Sequence, residues 1–580
     1  MDKVWTWRDW IFLLLFLCLF TLIFLAMKQS DRLYERLNDL ITITKDVKAL
    51  ASRGGLTHAP GGDNTTAAPD TRPTGDWCVV HLRSEPATLN PITAKDAYAG
   101  YINTYILEGL MERNPQTLKF EPRLCESYAI SESGLEYTFN LRKGVTWHDD
   151  VPFTADDVIY SFNVMMDNQT DCQNVRNYYA DISVKKLGDY QVRFTSKKKY
   201  WRAFINCAGL SIVPKHLFEK DKGPAFNSSE WGRKPVGTGP YKFVRWDAKQ
   251  KVVLERNPNY WFARRTPHID RIVFKFITDE TAAMEAVKKQ EIDDYEPTAE
   301  QWMREATESI VTDHFRRMKF NGLFFNYIGW NEKTVFFQDR RVRLAMTYSV
   351  PREEILKYRL YDLGSVVSGP FYVNSDAYDR SIEPWPYDLD KARRLLDEAG
   401  WKDTNGDGIR DKNGKAFRFQ LLVPQGRMLY RDIAVRLLGE LKKIGVEMSL
   451  RELDWASFIK ELDDQNFEAV SLGWSLSLEE DPYQLWHSSQ TGASGSNFVW
   501  FSSAEADKLI EESRSEFDEA KRNVLFRRLH RILHEEQPYT FLFNRPTLEL
   551  LNQRFENVKE YPLGTDLLDW YVKPENQKYK

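Results

Sequence analysis

From residue 77 onward the hydrophobic positions follow two rhythms, one repeating every second residue and one every third or fourth. WCVVHL at 77–82 is an apolar run of strand length, and EYTFNL at 136–141 alternates apolar with polar residues, so both read as strands. TADDVIYSFNVMMD, opening at Thr154, carries helical spacing behind a residue suited to cap it. VKKLGDYQVRFTS at 184–196 reads as two strands joined by a Gly-Asp turn. KVVLERN and RIVFKFI are expected as strands, and TAAMEAVKKQ and TYILEGLME (104–112) as helices. In DLDKARRLLDEAG (388–400), Ala392, Leu395, Leu396 and Ala399 share one face, Asp388 or Asp390 caps the start and Gly400 ends the helix. Strands and helices interleaved in this way make an α/β fold.

Ahead of this mixed part the texture changes. Residues 10–27 (WIFLLLFLCLFTLIFLAM) contain no charge and are long enough to span a bilayer core. Trp5, Trp7 and Trp10 sit where an interfacial belt would lie. No small-x-small cleavage site follows the run, and Cys18 is preceded by Phe16 and Leu17 rather than the small residues of a lipid-attachment motif, so the segment reads as an uncleaved transmembrane anchor. Lys3 and Arg8 on one side and Lys28, Arg32 and Arg36 on the other leave its orientation open. Residues 28–52 space Leu33, Leu37, Leu40, Val47 and Leu50 as an amphipathic stalk helix, and 53–76 form a Gly-, Pro- and Thr-rich flexible linker.

Five hundred and eighty residues exceed one hydrophobic core, so several domains are expected. A formal net charge of −4 with no basic stripe argues against nucleic acid as a partner. The four cysteines beyond the span include no CxxC pair, which argues against zinc and leaves disulfides and buried thiols both open.

Several segments, in order, resemble the family 5 extracellular solute-binding proteins, the oligopeptide- and dipeptide-binding components of ABC importers. They are LNPITAKDAYAGYINTYILEGLMERN (89–114), EPRLCESYAISESGLEYTFNLRKGVTWHDDVPFTADDVIYSF (121–162), VGTGPYKFVRW (236–246) with LERNPNYW (254–261), FQDRRVRLAMTYSVPREEI (337–355) and LGWSLSLEEDPYQLWHSSQ (472–490). The resemblance implies a two-lobed type II periplasmic binding protein fold with an extra family-specific domain. Lobe one would comprise 77–119, 231–320 and 543–580, the extra domain 120–230 and lobe two 321–542. It also implies a large part outside the cytoplasm, held at the cell membrane by the single-pass anchor, and a permease as partner.

Carried over residue by residue, the resemblance places the backbone of Gly473 and Ser475 and the ring of Trp474 at the ligand, with Ala97 and Tyr98 facing it from lobe one. Peptide binders of this family have an Asp shortly after that Trp, which pairs with the ligand's amine. Here Ser475-Leu476-Ser477-Leu478 intervenes, so either Glu479, Glu480 or Asp481 takes the role or the amine is not the anchor. Within the implied extra domain Cys172 and Cys207 are the expected disulfide, with Cys78 and Cys125 as a second.

Asp403, Asn405, Asp407 and Asp411 fit the opening of a calcium loop around Gly406, although Gly414 stands where a bidentate Glu belongs; an acidic hairpin is the alternative. His530 and His534 are expected to be exposed on an Arg-rich helix. No GxSxG, P-loop or supported Cys–His arrangement is present, which makes an enzyme the weakest class. Three readings remain: a receptor for peptide import, a tethered ligand sensor or adaptor, and a binder of another small solute such as an oligosaccharide or metal chelate.

Overall fold

The computed structural model describes residues 71–492 and 495–579. The expected membrane span, the stalk and the linker up to residue 70 lie outside the described residues. Among the described residues no helix is long and apolar enough to cross a membrane.

Three large sheets organise the chain. The first has seven strands in the order Phe315–Phe320, Thr547–Asn552, Asp294–Tyr295, Trp77–Leu82, Arg271–Phe276, Lys251–Arg256, Tyr241–Asp247. Trp77–Leu82 lies inside this sheet, parallel to Arg271–Phe276 on one side and meeting Asp294 on the other. Coverage on both faces accounts for its unbroken apolar run. The second sheet has six strands, ordered Ser365–Val366, Tyr539–Asn544, Phe324–Trp330, Ala469–Ser475, Arg418–Pro424, Glu447–Leu453. The third has four, ordered Cys125–Ile130, Glu136–Leu141, Gln191–Ser196, Ile182–Gly188. Tyr137, Phe139 and Leu141 alternate inward from it. Helix Ala155–Met166 packs Val158 and Phe162 into the same core, and its start is fixed by a capping box between Thr154 and Asp157.

The helix expected at 104–112 forms earlier, as Ala97–Ile106, where the Asp96 carboxylate accepts from the Ala99 N–H. It cannot continue, because the Ile106 carbonyl is taken by the Gly239 N–H at 2.9 Å. A β-carbon on Gly237 would stand 1.7 Å from that carbonyl oxygen, so the Val-Gly-Thr-Gly signature records a close backbone approach. Beyond the stop, Leu110 and Met111 turn into the core of the four-stranded sheet. Helix Leu389–Glu398 matches its expected face and its Asp388 cap, and Gly400 adopts φ +86° at its end.

All four described cysteines are buried free thiols, which corrects the expected Cys172–Cys207 and Cys78–Cys125 disulfides. The Cys172 thiol donates to the Met165 carbonyl at 3.3 Å, whereas Cys207 is a core residue of helix Ala203–Ala208. Cys78 and Cys125 belong to different hydrophobic cores.

The chain passes between the two larger sheets at 321–323 and again at Arg545 and Pro546. The two passages lie side by side. Asn544 Nδ2 donates to the carbonyls of Gly322 and Phe324 at 2.8 and 2.7 Å, and a β-carbon on Gly322 would meet the Arg545 carbonyl oxygen at 1.8 Å. At the other end of the seven-stranded sheet the fully buried Asp76 carboxylate accepts from Arg554 Nε and from the backbone N–H groups of Lys578 and Tyr579. Tyr579 also stacks on Trp77, with ring centroids 4.8 Å apart.

Candidate functional site

A cavity of about 860 Å³ is lined from the seven-stranded and the six-stranded sides. That volume is at the upper end of the range of ligand pockets, about 300–1,000 Å³.

On the six-stranded side the wall is built by strand Ala469–Ser475. One of its edges is fully paired with Phe324–Trp330, matching Phe324 to Ser475 and Asn326 to Gly473. The other edge meets Arg418–Pro424 only at Ala469 and Val470. From Gly473 to Ser475 that second edge has no strand partner among the described residues, and all three residues line the cavity. A β-carbon on Gly473 would fall 2.0 Å from the Phe324 ring, so any other residue here requires that ring to move. Half-buried Trp474 lies parallel to Phe498 and Tyr327, at 5.9 and 6.3 Å between centroids, and its Nε1 donates to the Tyr539 hydroxyl at 3.2 Å.

Ala97 and Tyr98 enter from the first turn of helix Ala97–Ile106 on the opposite wall. Arg427 donates to the Tyr98 hydroxyl across the cleft, and Trp455 meets the Tyr98 ring edge-on at 6.3 Å. Lys95 spans the same gap to Asp463 at 3.0 Å.

Glu479 and Asp481 are not among the residues that line the cavity. Glu479 pairs with Arg113 at 2.5 Å. The Asp481 side chain is fully buried, accepts from the Tyr200 hydroxyl at 2.5 Å and has Arg514 Nε at 3.2 Å. Arg514 in turn lies 4.3 Å from the ring centroids of both Tyr200 and Tyr483. Glu480 accepts from the Ser477 N–H at 2.6 Å, and burial pushes its carboxyl up to about 7. Asp481 thus holds the segment around Tyr200 against the six-stranded part, Glu479 ties in Arg113 and Glu480 closes a local turn, which corrects the expectation of an amine anchor at Glu479 or Asp481.

The acidic loop is a hairpin turn. Asp403 accepts from the Gly406 and Gly408 N–H groups, Asn405 from Asp407 N–H, Asp407 from Ile409 N–H and Asp411 from Thr404. Its oxygens are thus turned onto the backbone, and no three acidic, His or Cys side chains among the described residues stand where they could share a metal ion. His530 and His534 are buried rather than exposed. Ser368 Oγ and His530 Nε2 lie 3.1 Å apart, the Asp379 N–H donates to His530 Nδ1, and burial holds both imidazoles down at about 4.

The charged groups that sequence reasoning missed are on the cavity walls. Asp294, Glu296 and Glu549 line the seven-stranded side, while Arg427 and Arg545 line the other. The acids are scattered over more than 250 positions of sequence, with Asp294 and Glu296 hidden in the run DDYEP, so no spacing pattern joined them.

Comparison with known proteins gives the same architecture. The model of bacterial extracellular solute-binding proteins, family 5, matches residues 119–496. The oligopeptide-binding protein AppA of Bacillus subtilis is 34% identical over 497 residues, which cover 84% of this chain and 90% of that protein. Heme-binding protein A of Haemophilus influenzae is 27% identical, covering 79% and 85%. The structure of B. subtilis AppA in complex with a nonapeptide superposes with a TM-score of 0.82 at 32% identity, over 87% of this chain and all of that one. NikZ from Campylobacter jejuni in complex with Ni(L-His) gives 0.75 at 27% identity, over 86% and 99%. With its two-lobed α/β fold and a cleft built at the matching signatures, the chain belongs to the family 5 bacterial extracellular solute-binding proteins.

Proposed function

We propose that this protein captures peptides in the interlobe cavity and delivers them to an ABC importer from the outer face of the membrane, tethered there by residues 10–27. The observation that carries this reading is the unpaired strand edge at Gly473–Ser475, which faces a cavity of about 860 Å³. Such an edge can hydrogen-bond any peptide main chain irrespective of side chains. The relative crystallised with a nonapeptide supports the same ligand class. Under this reading lobe one is 77–119, 231–320 and the C-terminal tail, the extra domain is 120–230 and lobe two follows from 321. The second lobe boundary moves from residue 543 to the Arg545–Pro546 passage, because Phe543 and Asn544 remain in the six-stranded sheet. Closure of the lobes would turn on the adjacent passages at Gly322 and Arg545.

Thermal melting of the detergent-solubilised full chain with peptides of graded length tests it. A peptide at about a hundredfold excess over its Kd adds roughly 2.7 kcal/mol of stability. No shift with any peptide, together with a shift for an oligosaccharide or a metal chelate, would move the protein to another solute class on the same fold.

A further inference from the structure

The lobe-one wall of the cavity carries acidic charge that the protein itself leaves unbalanced. Among the cavity-lining groups, Arg83 is ion-paired with Glu280, Lys95 with Asp463 and Arg359 with Asp432. Arg427 and Arg545 turn instead to the Tyr98 hydroxyl and to Asn326 Oδ1. Asp294, Glu296 and Glu549 form no ion pair among the described residues, and Glu549 has only the Thr565 hydroxyl, donating at 3.2 Å.

Two buried atoms on the same cavity are also without partners. Glu280 is 7% exposed, and its Oε2 accepts no hydrogen bond while Oε1 holds Arg83. Trp570 is 1% exposed, and its indole N–H has no acceptor. A buried polar atom without a hydrogen-bond partner carries its full desolvation cost, which a ligand supplying the complementary group removes. The wall therefore asks for a cation, with a carbonyl or similar acceptor near it. No three of its carboxylates stand where they could share a metal ion, so the fitting charge is a broader organic one. Tyr101 and Tyr105, also cavity-lining, flank the acids with aromatic surface suited to such a group.

We propose that Asp294, Glu296 and Glu549, with the free oxygen of Glu280, form a subsite for an ammonium or guanidinium group of the ligand. This rests on the capture of peptides proposed above, and it puts the electrostatic anchor on lobe one rather than at residues 479–481.

Titration provides an independent readout. Burial, and then the neighbouring charges of Glu549, Asp293 and Glu296, raise the Asp294 carboxyl; burial, and nearby Glu560 and Glu296, raise Glu549 against the hydrogen bond from Thr565. The other groups facing them are Arg83, which pairs with Glu280 but also donates to the Glu296 carbonyl and sets its charge against Glu296, and the phenols of Tyr101 and Tyr105; Asp293 is itself paired with Arg554. A bound cation favours the ionised acids, so binding at neutral pH should release protons.

The test is isothermal titration of the detergent-solubilised full chain with three forms of one short peptide: free amino terminus, N-acetylated, and N-acetylated with one residue replaced by Lys. At least one cationic form should bind about tenfold or more tightly than the neutral form. It should release protons, seen as binding heats that differ between buffers of unequal ionisation enthalpy. A preference for the free terminus alone assigns the subsite to the α-ammonium, and a preference for the Lys form alone assigns it to a side chain; either supports the proposal. Asp294→Asn combined with Glu549→Gln should abolish the preference while the neutral peptide still binds. Removing mutual repulsion, the empty double variant should melt no lower than the wild type. Equal affinities in the wild type, a preference that survives the substitutions, or a lower melting point overturns the subsite and leaves peptide capture standing. Failure of every peptide, with binding of a sugar or chelate instead, overturns both.

Discussion

Replacing Asp481 by Asn separates a structural role for the acids after Trp474 from a role in holding ligand. The carboxylate is fully buried, accepts from the Tyr200 hydroxyl at 2.5 Å and lies 3.2 Å from Arg514 Nε. Breaking a buried ion pair costs about 3–5 kcal/mol because the remaining charge is stranded. Arg514 keeps 21% of its side chain in solvent, which brings the expected loss to roughly 2–3 kcal/mol. For about 500 folded residues unfolding as one unit, an unfolding entropy near 2.1 cal/mol/K per residue makes 1 kcal/mol worth about 1 °C. Differential scanning calorimetry of the ligand-free protein should therefore show Tm lowered by about 2–3 °C. Tyr200→Phe removes one hydrogen bond to the same charge and should cost somewhat less, and the two changes should be strongly non-additive. The reasoning is refuted if Asp481→Asn melts with the wild type yet selectively loses peptides with a free amine.

Trp474→Ala removes a half-buried ring from the cavity wall and should weaken ligand binding by about 1–2 kcal/mol in calorimetric titration. Gly473→Ala should be at least as damaging, because the new methyl drives Phe324 off its site. His530 and His534 have folded values near 4, below the ordinary 6.5, so the unfolded chain binds more protons between these limits. Their contribution is complete above about pH 6.5 and is lost as pH falls towards about 4, by up to roughly 3 kcal/mol for each; Tm followed across that window should fall, less steeply in His530→Asn. A thiol reductant should leave Tm unchanged, since the four described cysteines are free.

What could be read in advance was whatever local chemistry fixes. Strand Trp77–Leu82 and helix Leu389–Glu398 with its Asp388 cap follow from neighbouring residues alone. The helix Ala97–Ile106 was misplaced because its end is set by Gly239, more than 130 residues away, which claims the last carbonyl. The Gly473–Ser475 wall was legible through family signatures, but the fate of Asp481 was not, since Tyr200 and Arg514 come from other segments. The acidic wall was invisible for the same reason: Asp294 and Glu549 come together only through the order of strands in the seven-stranded sheet, and Glu280 joins them from the start of helix Glu280–Lys288. His530 and His534 looked solvated among arginines, yet the helix face they share turns onto Ser368 and Trp385.

The knot at Asp76 has a mechanical consequence. Tension arriving along the chain from residues 1–70 meets, at one buried carboxylate, the Arg554 guanidinium and the backbone of Lys578 and Tyr579, with Trp77 stacked alongside. The first strand it could pull, Trp77–Leu82, lies between two neighbours and is loaded in shear along its length, so its bonds share the force instead of parting one by one. The load path thus ends in the seven-stranded lobe and bypasses the paired passages at Gly322 and Arg545. Tension on the tether proposed above would therefore bear on the lobe-one wall that residues 80–83 form and leave closure of the lobes to the passages at Gly322 and Arg545.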